Sequence, residues 1–85
     1  LGARFAGKAM EPFIVTVEPS LKDVHLNSHP GQEFNYVLSG SLMLTVGENT
    51  LVLTPGDSIY FDASTPHGMR ADGNEPATFL AVITA

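Results

Sequence analysis

Asn27-Ser28-His29-Pro30-Gly31-Gln32-Glu33-Phe34-Asn35-Tyr36-Val37-Leu38-Ser39-Gly40 passes from a polar, turn-rich lead into an alternating run closed by a glycine. Side chains two apart on a strand point to the same side of a sheet. A strand over 33–39 therefore sets Glu33, Asn35 and Val37 on one face and Phe34, Tyr36 and Leu38 on the other. A carboxylate backed by so apolar a face needs water, a cation or hydrogen-bond donors. Two arrangements meet that need: a wet pocket around Glu33, or a partner covering the apolar face.

Outward from this stretch, the chain from Phe13 onward is a succession of short apolar runs separated by turn residues, the spacing of an all-β sandwich or barrel. Strands are expected near 3–6, 12–18, 33–39, 41–46, 50–54, 58–61, 67–70 and 78–84. The β-branched and aromatic content of Phe13-Ile14-Val15-Thr16-Val17 and Phe79-Leu80-Ala81-Val82-Ile83 supports the first long strand and the last. Gly47-Glu48-Asn49 is short enough to join two antiparallel strands as a hairpin. Pro55-Gly56-Asp57 and Asp72-Gly73-Asn74-Glu75-Pro76 mark further turns. The polar, irregular segment 21–30 reads as a loop that delivers His29 to the next strand.

The 85 residues form one small domain, 1–85, near the size at which a single core still folds alone. A hydrophobic share of 44% with only 15% charged residues is high for so small a domain, which points to apolar surface inside a homodimer interface. The net charge is -5, and the only cations are Arg4, Lys8, Lys22 and Arg70. Such a chain does not grip a phosphate backbone, so no direct nucleic-acid contact is expected. Without cysteine there is neither a disulfide nor a thiolate site. No apolar run approaches the roughly 20 residues that cross a bilayer, and no signal peptide is visible, so a cytoplasmic protein without a membrane partner is expected. The start at Leu1-Gly2-Ala3 suggests a fragment of a longer protein.

A second segment, Pro55-Gly56-Asp57-Ser58-Ile59-Tyr60-Phe61-Asp62-Ala63-Ser64-Thr65-Pro66-His67, supplies another imidazole. Together the two segments resemble the paired motifs of the cupin superfamily, small antiparallel β-barrels of jelly-roll type. The family's first motif is a His, any residue, a His, three or four residues, a Glu, six residues and a Gly. Here His29, Glu33 and Gly40 fall into place, and Asn27 stands where the first His belongs. The second motif opens with a Pro-Gly-Asp turn and closes with Pro-His, matched by Pro55-Gly56-Asp57 and Pro66-His67. The resemblance runs from about 27 to 84 and implies an all-β fold, a single double-stranded β-helix (jelly-roll) cupin barrel.

It also implies that the family's four metal-ligand places fall on Asn27, His29, Glu33 and His67. An amide oxygen is a neutral and weaker ligand than imidazole for the softer divalent metals. Two outcomes stay open: a divalent transition metal (Mn, Fe, Ni or Zn), or a polar pocket whose metal is absent because Asn27 replaces the first motif His. Asn27 reads equally well as a loop residue fixed through backbone bonds. Gln32 and Asn35 add amides beside Glu33, and with Tyr60 and Met69 they are the candidate contacts to a polar organic ligand. Packing is the default role for Met69, and core or interface the commoner role for a strand tyrosine. His25 reads as a surface histidine. Ser28 and Ser64 have simple turn roles, so no residue is assigned as catalytic.

The stretch Lys8-Ala9-Met10-Glu11-Pro12-Phe13-Ile14-Val15-Thr16-Val17-Glu18-Pro19, followed by His29-Pro30-Gly31-Gln32-Glu33-Phe34, looks like the C-terminal cupin domain of bacterial transcriptional regulators with an N-terminal helix-turn-helix. That resemblance implies a non-enzymatic module that binds a small-molecule effector around His29, Glu33 and His67 and stabilises one domain arrangement over another. The alternative is a small metal-dependent cupin enzyme, an oxygenase or isomerase, with Glu33 as ligand or base. Only Tyr60, Asp62 and Arg70 stand by as further acids or bases. That scarcity tilts the sequence reading away from an enzyme.

Overall fold

The computed structural model describes residues 10–20 and 24–84. Seven strands carry most of them: β1 (Met10–Val17), β2 (Gln32–Ser39), β3 (Ser41–Val46), β4 (Asn49–Leu53), β5 (Ser58–Asp62), β6 (His67–Asp72) and β7 (Ala77–Thr84). Each expected strand from 12–18 onward has its counterpart; the one near 3–6 lies outside the described residues. Gly40 fits the sharp reversal from β2 to β3. Its φ of 72° lies in the left-handed region, and a Cβ there would strike the Pro76 carbonyl and come within 2.9 Å of Ala77 Cα.

The strands form two antiparallel sheets, ordered β1-β7-β2-β5 and β4-β3-β6. This is the layered arrangement of a jelly roll, and it corrects the expectation of a closed barrel, because among the described residues no sheet closes on itself. Closure needs ladder bonds at both seams, and other segments occupy those positions. At one seam the turn between β4 and β5 bonds to β2 instead, through Gly56 N–H to the Val37 carbonyl (2.9 Å) and Val37 N–H to the Asp57 carbonyl (3.0 Å). At the other, single bridges from Pro19 to Ala71 and from Asn27 to His67 cover the free edge of β6.

Between the sheets lies a core of Val37, Leu42, Leu44, Phe79, Ala71, Ala77 and Ala81, with Leu53 and Phe61 at its border. The register explains the selection. Val37 lies opposite Phe79 across the β2–β7 ladder, and Leu42 lies between Leu53 and Ala71. The inward residues change character toward the start of β2, where Asn35 and Glu33 follow Val37 on the same buried face. One end of the interior is therefore hydrocarbon and the other polar.

Candidate metal centre

Three separate elements deliver the polar end. Glu33 is the second residue of β2, opposite Phe61 on one side and Ile83 on the other. His67 opens β6 opposite Val46, where the turn of Pro66 hands the chain to the strand. His29 comes from the strap before β2, which is tied down at three points. Asn27 exchanges two backbone bonds of 2.8 Å with His67, His29 N–H donates to the Ala63 carbonyl at 3.0 Å, and Ala63 N–H donates to the Gly31 carbonyl at 2.9 Å. Gly68 makes room for this strap: a Cβ there would strike the His25 carbonyl and the Val24 side chain.

The side chains converge. His29 Nε2 lies 3.2 Å and His67 Nε2 3.3 Å from the same oxygen, Glu33 Oε1. One ligand atom from each of the three residues falls within 4.8 Å of the others. Glu33 and His67 are only 5% and 6% exposed, and His29 is half-buried. The two rings meet edge to face at 5.2 Å, and Phe61 packs edge-on against His67 at 4.9 Å.

The other ring nitrogens decide what this cluster can hold. His67 Nδ1 lies 2.8 Å from the Thr65 carbonyl, and His29 Nδ1 lies 3.2 Å from the Pro30 carbonyl. A carbonyl only accepts, so each Nδ1 carries a proton and each ring turns its Nε2 toward Glu33 Oε1. A single divalent cation satisfies all three donors at once, and backbone carbonyls on Nδ1 are the usual outer partners of metal-binding histidines. The donor set fits a metal.

The remaining sequence candidates fall into two groups. Asn35 is buried on the inward face beside Glu33, and Met69 packs half-buried against the core from β6. Gln32 and Tyr60 lie on the outward face, where the Tyr60 hydroxyl donates to Gln32 Oε1; Tyr60 is 63% exposed. They border an outward groove of about 320 Å³ with Met10, Phe34, Val82 and Thr84. The Asn27 residue is exposed and engages His67 through its main chain, and His25 is exposed as well. Asp62 receives the Ser64 N–H (3.0 Å) and hydroxyl (2.8 Å), bonds that hold its carboxyl below the usual carboxylate range. Arg70 donates to the Ser20 carbonyl. Phe61, Gly68 and the carbonyls of Pro30 and Thr65 escaped sequence reasoning; only the parity of Phe61 along β5 carried a signal.

The family model described as Cupin domain matches residues 13–83. No curated protein matches the chain. Among solved structures the chain is similar to Fe(II) HppE in complex with substrate, with 30% identity and a TM-score of 0.80 over 88% of this chain and 45% of that one. It is similar to the hydroxypropylphosphonic acid epoxidase from S. wedmorenis, with 29% identity and a TM-score of 0.80 over 88% of this chain and 43% of that one. A transcriptional regulator of the HTH_3 family from Vibrio cholerae also matches, with 24% identity and a TM-score of 0.77 over 93% of this chain and 44% of that one. The chain spans less than half the length of each.

These likenesses overturn the expectation of a non-enzymatic, effector-sensing domain of a regulator. At 24% identity the regulator shares the fold alone, and a fold hosts many functions. The matches at 29% and 30% are to a metal-bearing epoxidase, and this chain gathers a His-Glu-His cluster that could hold a metal ion. The tilt away from an enzyme is corrected with it. Few acid and base side chains are no argument against an enzyme with a metal, because a metal takes over the polarising and activating roles.

Proposed function

The chain belongs to the cupin family, and from that premise we propose that it is the metal-holding domain of a metal-dependent oxidative enzyme acting on a small oxygen-bearing substrate. The observation that carries this reading is the meeting of two imidazole Nε2 atoms and one carboxylate oxygen at the polar end of the interior. Two histidines and one carboxylate with open positions opposite are the donor set of mononuclear non-haem iron(II) oxygenases, which favours Fe over Mn, Ni and Zn.

A divalent metal bound there supplies Lewis-acid and redox chemistry to oxygen ligands at its open positions. The protein's own contribution is orientation. The Pro30 and Thr65 carbonyls fix both imidazoles in the ligating tautomer, Glu33 brings the compensating negative charge, and Phe61 walls His67 with hydrocarbon. Asn27 leaves the family's fourth ligand place without an imidazole, which gives a three-ligand centre. The likeness to an epoxidase of hydroxypropylphosphonic acid supports a substrate that joins a hydroxyl to an anionic group.

The domain is proposed to be one part of a longer cytoplasmic protein and to pair with a second copy through its outward apolar residues. Met10, Ile14, Tyr36, Leu38 and Tyr60, all exposed, support that pairing. Among the described residues no helix is long and apolar enough to cross a membrane.

The test is anaerobic titration of the chelator-treated protein with Fe(II), followed by oxygen uptake in the presence of short hydroxyalkylphosphonates. One metal per chain is expected, lost in His67→Ala, with oxygen uptake that depends on both metal and substrate. Protein that takes up no metal would refute the reading.

A further inference from the structure

Among the described residues, Asn35 is the side chain whose buried polar atoms have no hydrogen-bond partner: neither Oδ1 nor Nδ2 meets a protein group, and the residue is 0% exposed. It follows Glu33 on the inward face of β2, about 6.7 Å further along by the strand rise. Its ladder neighbours, Ala81 on β7 and Ile59 on β5, offer only hydrocarbon at their side chains. Burying an amide with both ends unsatisfied works against folding, and native proteins hold few such groups. A leucine of similar shape would relieve that cost, so the fold does not call for the amide.

We infer that Asn35 reads a ligand held at the His29–Glu33–His67 centre and selects for a hydroxyl on it. The argument is one of complementarity. A primary amide presents an N–H donor and a C=O acceptor side by side, and the group that satisfies both must itself donate and accept. A hydroxyl does so. Carboxylate and fully ionised phosphonate oxygens only accept, and an ammonium only donates. An ionised head group therefore belongs on the cationic centre, and the neutral hydroxyl of the same molecule, or a water in its place, belongs on Asn35. A site built to hydrogen-bond a hydroxyl also discriminates strongly against the analogue that lacks it, because the amide is then left unpaired. This inference rests on the metal-site reading above and adds to it the residue that sets substrate class.

The test loads the full chain, Asn35→Leu and Asn35→Ala with Co(II), whose visible absorption reports the centre independently of turnover. Each is then titrated with 3-hydroxypropanoate and with propanoate, which differ only in the hydroxyl. All three proteins are expected to bind cobalt with the same spectrum. The wild type should prefer the hydroxy acid by at least roughly tenfold more than either variant does, the worth of one well-made hydrogen bond. Asn35→Ala removes the amide without adding volume, so it answers the question even where leucine overpacks. Equal affinity of the wild type for the two acids overturns the proposal and assigns the amide to a fixed water. A preference that survives undiminished in both variants overturns it too. A wild type that takes up no cobalt overturns the metal-site reading itself, and this inference with it.

Discussion

Along β2, Glu33, Asn35 and Val37 are buried, while Tyr36 and Leu38 keep 38% and 45% of their surface in solvent. The face with a carboxylate and an amide points inward, and the face with a phenylalanine, a tyrosine and a leucine points outward. Hydropathy of the single strand would choose the opposite. The choice is made by what each face meets: Val37 finds Phe79, Glu33 finds two imidazoles, and Phe34 and Tyr36 lie beside Val82 and Leu80 on the outer side of the same ladder. A buried polar group on one strand is tolerable only when other segments bring its partners.

The sharpest way to break this comparison is a matched pair of truncations. Phe79→Ala, in the core opposite Val37, should cost about 3–5 kcal/mol in chemical denaturation, as large core truncations do. Leu38→Ala, one residue along from Val37 but outward, should stay within about 0.5 kcal/mol for the isolated chain. Similar losses for the two would mean that the outer face is covered as thoroughly as the inner.

A smaller effect is expected where the strap closes over the polar end. Gly68→Ala pushes a methyl group into the backbone of His25, so the strap must shift. We expect a loss of about 1–3 kcal/mol, the usual cost of forcing extra volume into a packed site. Metal affinity should weaken as well, since His29 and the Asn27 bridge ride on that strap. Unchanged thermal stability and metal affinity would show that the strap is not what positions His29.

The smallest effect belongs to the exposed turn leading to His67. The Asp62 carboxyl is held below its usual range first by the Ser64 backbone N–H and then by the Ser64 hydroxyl. A depressed carboxyl contributes stability above its unfolded pKa and loses it as pH falls through the folded one. Asp62→Ala should therefore melt slightly below the wild type at neutral pH and converge with it below about pH 4. A constant difference down to pH 2 would assign the effect to packing instead of charge.

Much of this was legible in the residues. The alternation over 33–39 marked β2 and paired Glu33 with Asn35 on one face, and turn chemistry at Gly47 and Pro55-Gly56-Asp57 marked the neighbouring strands. The resemblance of the two segments to the cupin motifs implied the grouping of His29, Glu33 and His67. The sequence reading grouped Gln32 with Asn35, although their odd spacing on a strand sets the two side chains on opposite faces of β2. Other features were not. That the seams stay open depends on backbone bonds between Val37 and the 56–57 turn, 19 or more residues away in the chain. That both imidazoles present Nε2 depends on two carbonyls with no side-chain signature.

The sequence by itself determined the strand periods and the turns, which follow from local backbone preference, and its resemblance to the cupin motifs singled out His29, Glu33 and His67. Only the tertiary structure decided which face of β2 is inside, which nitrogen of each imidazole faces Glu33, and that the Asn35 amide is buried without a partner. Those are properties of distances between segments remote in the chain, and no local preference fixes them.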